Sequence, residues 1–410
     1  MSTKLEKFVQ KREFISIIVI LGVAIINILR LFIMIYRGVP HMGDHVWIWT
    51  ECRIAWYGVS PYEALRNNLV INGLQTFPHV STLPWGLTLS TIIHGAFLPL
   101  EYSKIWYAAI NFLIFAVMLA CVNKKVFSYR YSQSQIIAVN ILLVSSWYYL
   151  DGILPLNNGM LICFLIIIAI CIIDRFEYLA GIVMIFTMIK PQNAIPFFVV
   201  FLLLGKWKTI ATSVIGVLVS WGISSLWTKE SPIDQLYGVI SFASNPEESY
   251  HMVGIFDFIR KYDVSSMLAL ILSMIAGVVI ILIVMTIWKN KNKMNNLTTW
   301  LIYSIPAIVS IMWCYKSYAD YLILLIPAIA LFELIISTDN DMDWLVYIIF
   351  TVVLLTKPFS TALLGRLPFM TEYMCNRLDL YVKTLSIIPI VYGANKFQNS
   401  VKVFGKSPKS

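Results

Sequence analysis

Five short stretches of this chain carry residue types whose placement could do chemistry. Asp44 and His45 follow the first apolar run and precede an aromatic stretch, Val46-Trp47-Ile48-Trp49 through Trp56-Tyr57. Such a stretch suits the headgroup layer, where Trp and Tyr concentrate, and it would hold Asp44 beside the membrane surface. A carboxylate at that low-dielectric boundary can serve as a general base tuned by burial. Residue type alone fits an ordinary loop aspartate as well. Lys190 stands inside the apolar run 178–204, in the sequence Lys190-Pro191-Gln192-Asn193. An ammonium there costs about 2.5–3.5 kcal/mol on insertion scales, so it faces a cavity or a partner. A phosphate would be a natural ligand, and an ion pair with another helix is the alternative.

The third stretch is Asn157-Asn158-Gly159, either polar contacts to a substrate or simply a helix cap with turn chemistry. Lys316 and Asp320 place a cation and an anion at a corner rich in tyrosine, Tyr315 to Tyr321. His251 and Asp257 lie in a loop that resembles a short amphipathic helix. Each signal is weak alone, and the expectation is that together they surround one outer mouth.

The elements that must position these residues are membrane helices. With 59% hydrophobic and 13% charged residues over 410 positions, the chain departs from soluble globular composition, which carries about 25% charged residues. The fold class expected is an all-α polytopic integral membrane protein, a single domain over 1–410. At roughly 20 apolar residues per crossing it has room for about 10–13 segments. Apolar runs lie at 14–36, 83–100, 105–122, 134–150, 159–173, 178–204, 209–227, 265–288, 298–314, 320–338, 343–357 and 380–394. Helices are expected because hydrocarbon offers the backbone no partner.

Short connectors rich in Lys and Arg mark the cytoplasmic side. They are Lys124/Lys125/Arg130, Arg175, Lys206/Lys208 and Lys289/Lys291/Lys293, with Lys396 to Lys409 in the tail 395–410. The start, 1–13, is expected inside as well, since Lys4, Lys7, Lys11 and Arg12 precede the first run. Loops 37–82, the first expected to hold amphipathic helices, 228–264 and 358–379 then face outward. Simple alternation fails twice. Segment 83–100 begins and ends outside, so it reads as re-entrant or tilted. Segment 178–204 has both flanks inside, so it reads as two half-helices meeting at Lys190. Glu333 and Arg30 are expected to snorkel.

A net charge of +9 would suggest nucleic acid in a soluble chain, but here the basic residues orient helices, and no nucleic-acid partner is expected. Six cysteines, of which only Cys52 and Cys375 look loop-borne, make no disulfide framework. No CxxC and no Cys/His zinc spacing occurs, so metal–sulfur chemistry is excluded, and no metal site and no cofactor are expected.

The order of features resembles glycosyltransferase family 87. The resemblance runs through Asp44 after the first helix, Gly58-x-x-Pro61-Tyr62, Pro84 in the re-entry, Asn157-Asn158-Gly159, Lys190-Pro191 and Ser317-Tyr318. It covers roughly residues 37–325. It implies a GT-C-like bundle and an inverting transfer from a polyprenyl-phosphate sugar, typically mannose, to an envelope glycan or glycolipid acceptor. Asp44 would be the general base. Lys190 and Lys316 would hold the donor phosphate, and His45, Asn157, Asn158, His251, Asp257 and Asp320 would contact substrate. The enzyme would sit in the cell membrane among its lipids with the site on the outer face. Two departures stand out: the family's turn usually reads Gly-Gln-x-Asn, and its corner near Asp320 often carries a His. Other classes fit part of the pattern. A flippase or transporter of lipid-linked sugars also uses broken helices and an intramembrane Lys. A polysaccharide polymerase or ligase also works outside on lipid-linked donors. Consumption of a polyprenyl-phosphate sugar with release of polyprenyl phosphate separates the transferase from the transporter.

Overall fold

The computed structural model describes residues 43–76, 82–127, 133–146, 157–243, 254–290, 299–313, 318–338, 340–356 and 372–404, with Val80 and parts of 14–33. Among the described residues the protein is all-α apart from one small hairpin. Helix α1 (Gly43–Trp56) stops where Gly58 takes φ +81, and Ser60 then caps α2 (Pro61–Arg66), whose first residue is a proline. The hairpin β1 (Val70–Ile71) and β2 (Leu74–Gln75) turns through Asn72 and Gly73, both with positive φ, the chemistry of a tight two-residue turn.

Then come α3 (Pro84–Ile93), α4 (Leu100–Val122, prolonged by a wider π turn at Asn123–Phe127), α5 (Gln133–Ser145), α6 (Asn158–Ile172), α7 (Glu177–Thr187), α8 (Pro191–Leu203) and α9 (Trp207–Thr228). The remaining described residues form α10 (Pro232–Ala243), α11 (Ile255–Arg260), α12 (Ser266–Asn290), α13 (Thr299–Trp313), a 3-10 turn (Tyr318–Leu324), α14 (Leu325–Ser337), α15 (Asp341–Leu355), α16 (Glu372–Leu385) and α17 (Ile387–Phe404).

Among the described residues three helices are long and apolar enough to cross a membrane: Leu100–Lys125, Trp207–Thr228 and Ser266–Thr286. Their surfaces show which solvent they meet. On α9 the buried face is small and polar, Thr209, Ser213, Ser220, Ser224 and Thr228, while Val214, Ile215, Leu218 and Leu226 are exposed. A soluble helix has the opposite arrangement, whereas membrane helices pack through small residues and show large apolar ones to lipid. Gly181 of α7 lets this face approach closely, with Ser213 Oγ donating to Gly181 O at 2.9 Å and Thr209 Oγ1 to Glu177 O at 2.9 Å. The protein is therefore a membrane protein.

Apolar content alone does not make a crossing. Helix α6 is buried on every side from Asn158 to Ile170, and α13 is buried nearly throughout, so both belong to the core. With 11 to 15 residues, α6, α7, α8 and α13 reach about 16–22 Å, short of the roughly 30 Å hydrocarbon layer. Segment 178–204 is divided as its sequence suggests, with α7 and α8 meeting at Lys190. Segment 83–100 is the ten-residue α3 and a turn, followed by the long α4. The run 380–394 is not one helix, because α16 ends and α17 begins at Ser386, just before Pro389.

Three other expectations change. Helix α1 does not lie flat with one apolar stripe: His45, Ile48, Trp49, Glu51, Cys52, Ile54 and Ala55 are all buried against neighbouring protein. Cys52 is accordingly a buried, unbridged helix residue rather than loop-borne. Glu333 is buried on α14 instead of snorkelling, and Arg30 lies outside the described residues.

Candidate active site

Six elements deliver one polar cluster: the N-terminal turn of α1, the turn after α3, the first turns of α4, the start of α6, the break before α8 and the 3-10 turn. Asn157 caps α6, its Oδ1 accepting from the Gly159 N–H at 2.6 Å. The cap also makes two contacts across the fold. Its Nδ2 donates to Asp44 Oδ2, and its Oδ1 accepts from Lys190 Nζ at 3.2 Å. Lys190 Nζ reaches both oxygens of Asp320, at 3.0 and 3.2 Å, and Asn193 Nδ2 donates to Asp320 Oδ1 at 2.8 Å. Asp320 is fully buried, so its charge is sustained by these donors rather than by water.

Backbone geometry explains how the Lys190 break is tolerated. Interrupting a helix frees carbonyls that lipid cannot satisfy. Trp85 Nε1 donates to Met188 O at 2.8 Å, and Trp313 Nε1 donates to Gln192 O at 2.8 Å. Two indoles from other helices thus supply donors on either side of Lys190. Gly159 belongs to the same packing, because a Cβ there would collide with the Asp320 carboxylate and stand 2.9 Å from Asn157 Oδ1.

A second set of contacts adjoins the first. His45, next to Asp44, is fully buried, with Nδ1 3.0 Å from His94 Nδ1 and Nε2 2.9 Å from Ser103 Oγ. His94 Nε2 lies 2.7 Å from Asn158 Oδ1, which also accepts from the Tyr107 hydroxyl at 3.0 Å. The His94 and Tyr107 rings stack at 4.2 Å. Burial, with Lys104 adding to it, lowers the His45 pKa to about 4, so that ring is neutral at physiological pH.

Asp44, His45, Asn157, Asn158, Lys190 and Asp320 therefore come together, although the chain separates the first and last by most of its length. Asp257 sits on α11, which packs against α12 and α13. His251 and Lys316 lie outside the described residues. Sequence reading did not single out His94, Ser103, Tyr107 or Asn193 as site residues. His94 carried the signal used for Lys190, an ionisable residue in an apolar run. Asn193, three residues after Lys190, shares its helix face.

The glycosyltransferase family 87 model matches residues 84–314, more than half of the chain. The chain belongs to glycosyltransferase family 87. No curated protein and no solved structure matches it. The family 87 match contains Asn157, Asn158, Lys190 and His94, whereas Asp44 precedes it and Asp320 follows it. The fold returns both carboxylates to residues inside the matched stretch. As a membrane glycosyltransferase, the protein has a sugar donor and an acceptor to bind.

Proposed function

We propose that this family 87 glycosyltransferase, with a GT-C-like bundle, transfers a hexose such as mannose from a polyprenyl-phosphate donor to an envelope glycan or glycolipid acceptor. The transfer is inverting and takes place on the outer face of the cell membrane. The observation that carries this reading is the cluster itself, a half-buried Asp44 joined through Asn157 to a lysine at a helix break. Asp44 uses Oδ2 for Asn157, and in this reading Oδ1 takes the proton of the acceptor hydroxyl. The acceptor oxygen then attacks the sugar's anomeric carbon from the side opposite the phosphate. The bond from that carbon to the phosphate oxygen breaks, and its electron pair leaves with the lipid phosphate. Lys190, with Lys316 as a second cation, steadies the departing charge. Asp320 holds the Lys190 ammonium in place.

The outer-face assignment draws support from the opposite end of the core. Asp174, just past α6, pairs with Lys125 at 3.0 Å and with Lys206 at 3.0 Å, so three connectors of the basic side converge there. Asn157, in the cluster, is at the other end of α6. The 15 residues of that helix put about 22 Å between them. Basic connectors mark the cytoplasm, so the cluster belongs to the far side.

The test uses purified protein in lipid with a polyprenyl-phosphate sugar and a glycolipid acceptor. Acceptor-dependent release of polyprenyl phosphate is expected. Movement of the intact donor across the bilayer without its consumption would instead identify a transporter.

A further inference from the structure

Two adjacent residues of α1 are tied to two adjacent residues of α6 by parallel links. Asp44 meets Asn157 directly, whereas His45 meets Asn158 through His94. We propose that His94, acting through His45, is a positioning residue that fixes the N-terminal turn of α1 so that Asp44 keeps its place beside Asn157. The inference rests on the reading of Asp44 as the base.

The hydrogen-bond inventory supports a rigid link. Asn158 Oδ1 accepts, so His94 carries its proton on Nε2, and its bare Nδ1 accepts the N–H of His45 Nδ1. His45 then presents a bare Nε2 to Ser103 Oγ, whose single proton is shared between that nitrogen and His94 O, 2.6 Å away. Three of the four ring nitrogens are thereby paired outright, and the fourth competes with His94 O for the Ser103 proton. The stacked Tyr107 ring fixes the plane of His94, and its hydroxyl shares the Asn158 acceptor. His45, His94, Ser103 and Tyr107 are all fully buried, so no water competes for these bonds. None of the four needs to touch substrate for the link to matter. A base must stand within hydrogen-bond reach of the proton it takes, and misplacement by about 1 Å can cost about 10²-fold in rate.

The experiment measures turnover with a polyprenyl-phosphate sugar and a glycolipid acceptor for His94→Gln, Ser103→Ala, Asp44→Asn and the double variant Asp44→Asn/His94→Gln. His94→Gln keeps a donor for Asn158 but loses the Nδ1 acceptor. It should lower kcat about 10–100-fold while donor KM stays within about threefold. Ser103→Ala, a gentler change should His94→Gln not fold, should show the same split with a smaller drop. Adding His94→Gln to Asp44→Asn should change the residual rate little, because the link acts through Asp44. The proposal is overturned by a wild-type kcat in His94→Gln, by a change confined to donor KM, or by an equal further loss in the double variant.

NMR of ¹⁵N-histidine protein reads the link without reference to substrate. Coupling between the two Nδ1 nuclei is expected in the unsubstituted protein and should vanish in His94→Gln. Its absence from the unsubstituted protein overturns the link. Asp44→Asn turning over at the wild-type rate refutes the base instead, even where the coupling shows the histidine pair to be intact.

Discussion

With Oδ2 held by Asn157, Asp44 has a fixed orientation and one oxygen to offer, and this is the residue at which activity should be most sensitive. Asp44→Asn preserves shape but cannot take a proton. Turnover should fall about 10²–10⁴-fold with donor binding retained. Kinetics and donor affinity on the same preparation check this, and a folded variant within a few-fold of wild type would move the base elsewhere. Lys190 poses a different question, because it balances a fully buried Asp320. Lys190→Met should weaken donor binding and also strand that carboxylate, costing about 3–5 kcal/mol of stability. Adding Asp320→Asn removes the stranded charge, so the double variant should regain thermal stability but not donor affinity. Recovery of both would make Lys190 a structural partner alone.

At the scale of elements, the half-helices α7 and α8 hold Lys190 only as firmly as α7 is held by α9. Gly181 makes that contact close, since a Cβ there would stand 2.6 Å from Thr212 Cβ and 2.8 Å from Thr209 O. Gly181→Ala should therefore destabilise the protein by about 1–3 kcal/mol through overpacking. Gly222, also helical, has nothing within 4 Å of its would-be Cβ. Gly222→Ala should be neutral or stabilising by up to about 1 kcal/mol, because alanine is the better helix former. Thermal unfolding of the pair decides it. Equal effects would mean that the α7–α9 approach is not limiting.

For the whole molecule, the converging basic connectors and the distant polar cluster set the expected orientation. In a variant with its native cysteines replaced, a cysteine at position 240 should react with an impermeant reagent in intact cells, and one at position 291 should not. The reverse pattern would place the cluster in the cytoplasm and remove an outer acceptor from consideration.

Composition determined the membrane environment, because no arrangement of 59% hydrophobic residues leaves them all inside a soluble core. Local sequence likewise determined the break at Lys190-Pro191, the α1 stop at Gly58 and the cap at Asn157, since each follows from a single residue's backbone preference. The candidate residues Asp44, Asn157, Lys190 and Asp320 were legible one by one from charge or polarity beside apolar runs. Their union was not. A hydropathy pattern records whether a residue avoids water and does not distinguish lipid from protein as the neighbour. It therefore could not tell the buried α6 and α13 from the lipid-facing α9 and α12. Only the tertiary structure decided that His94 stands between His45 and Asn158 and that Lys190 is paired with Asp320, 130 residues away. Such long-range pairings depend on helix packing angles and on which polar groups must satisfy one another away from water.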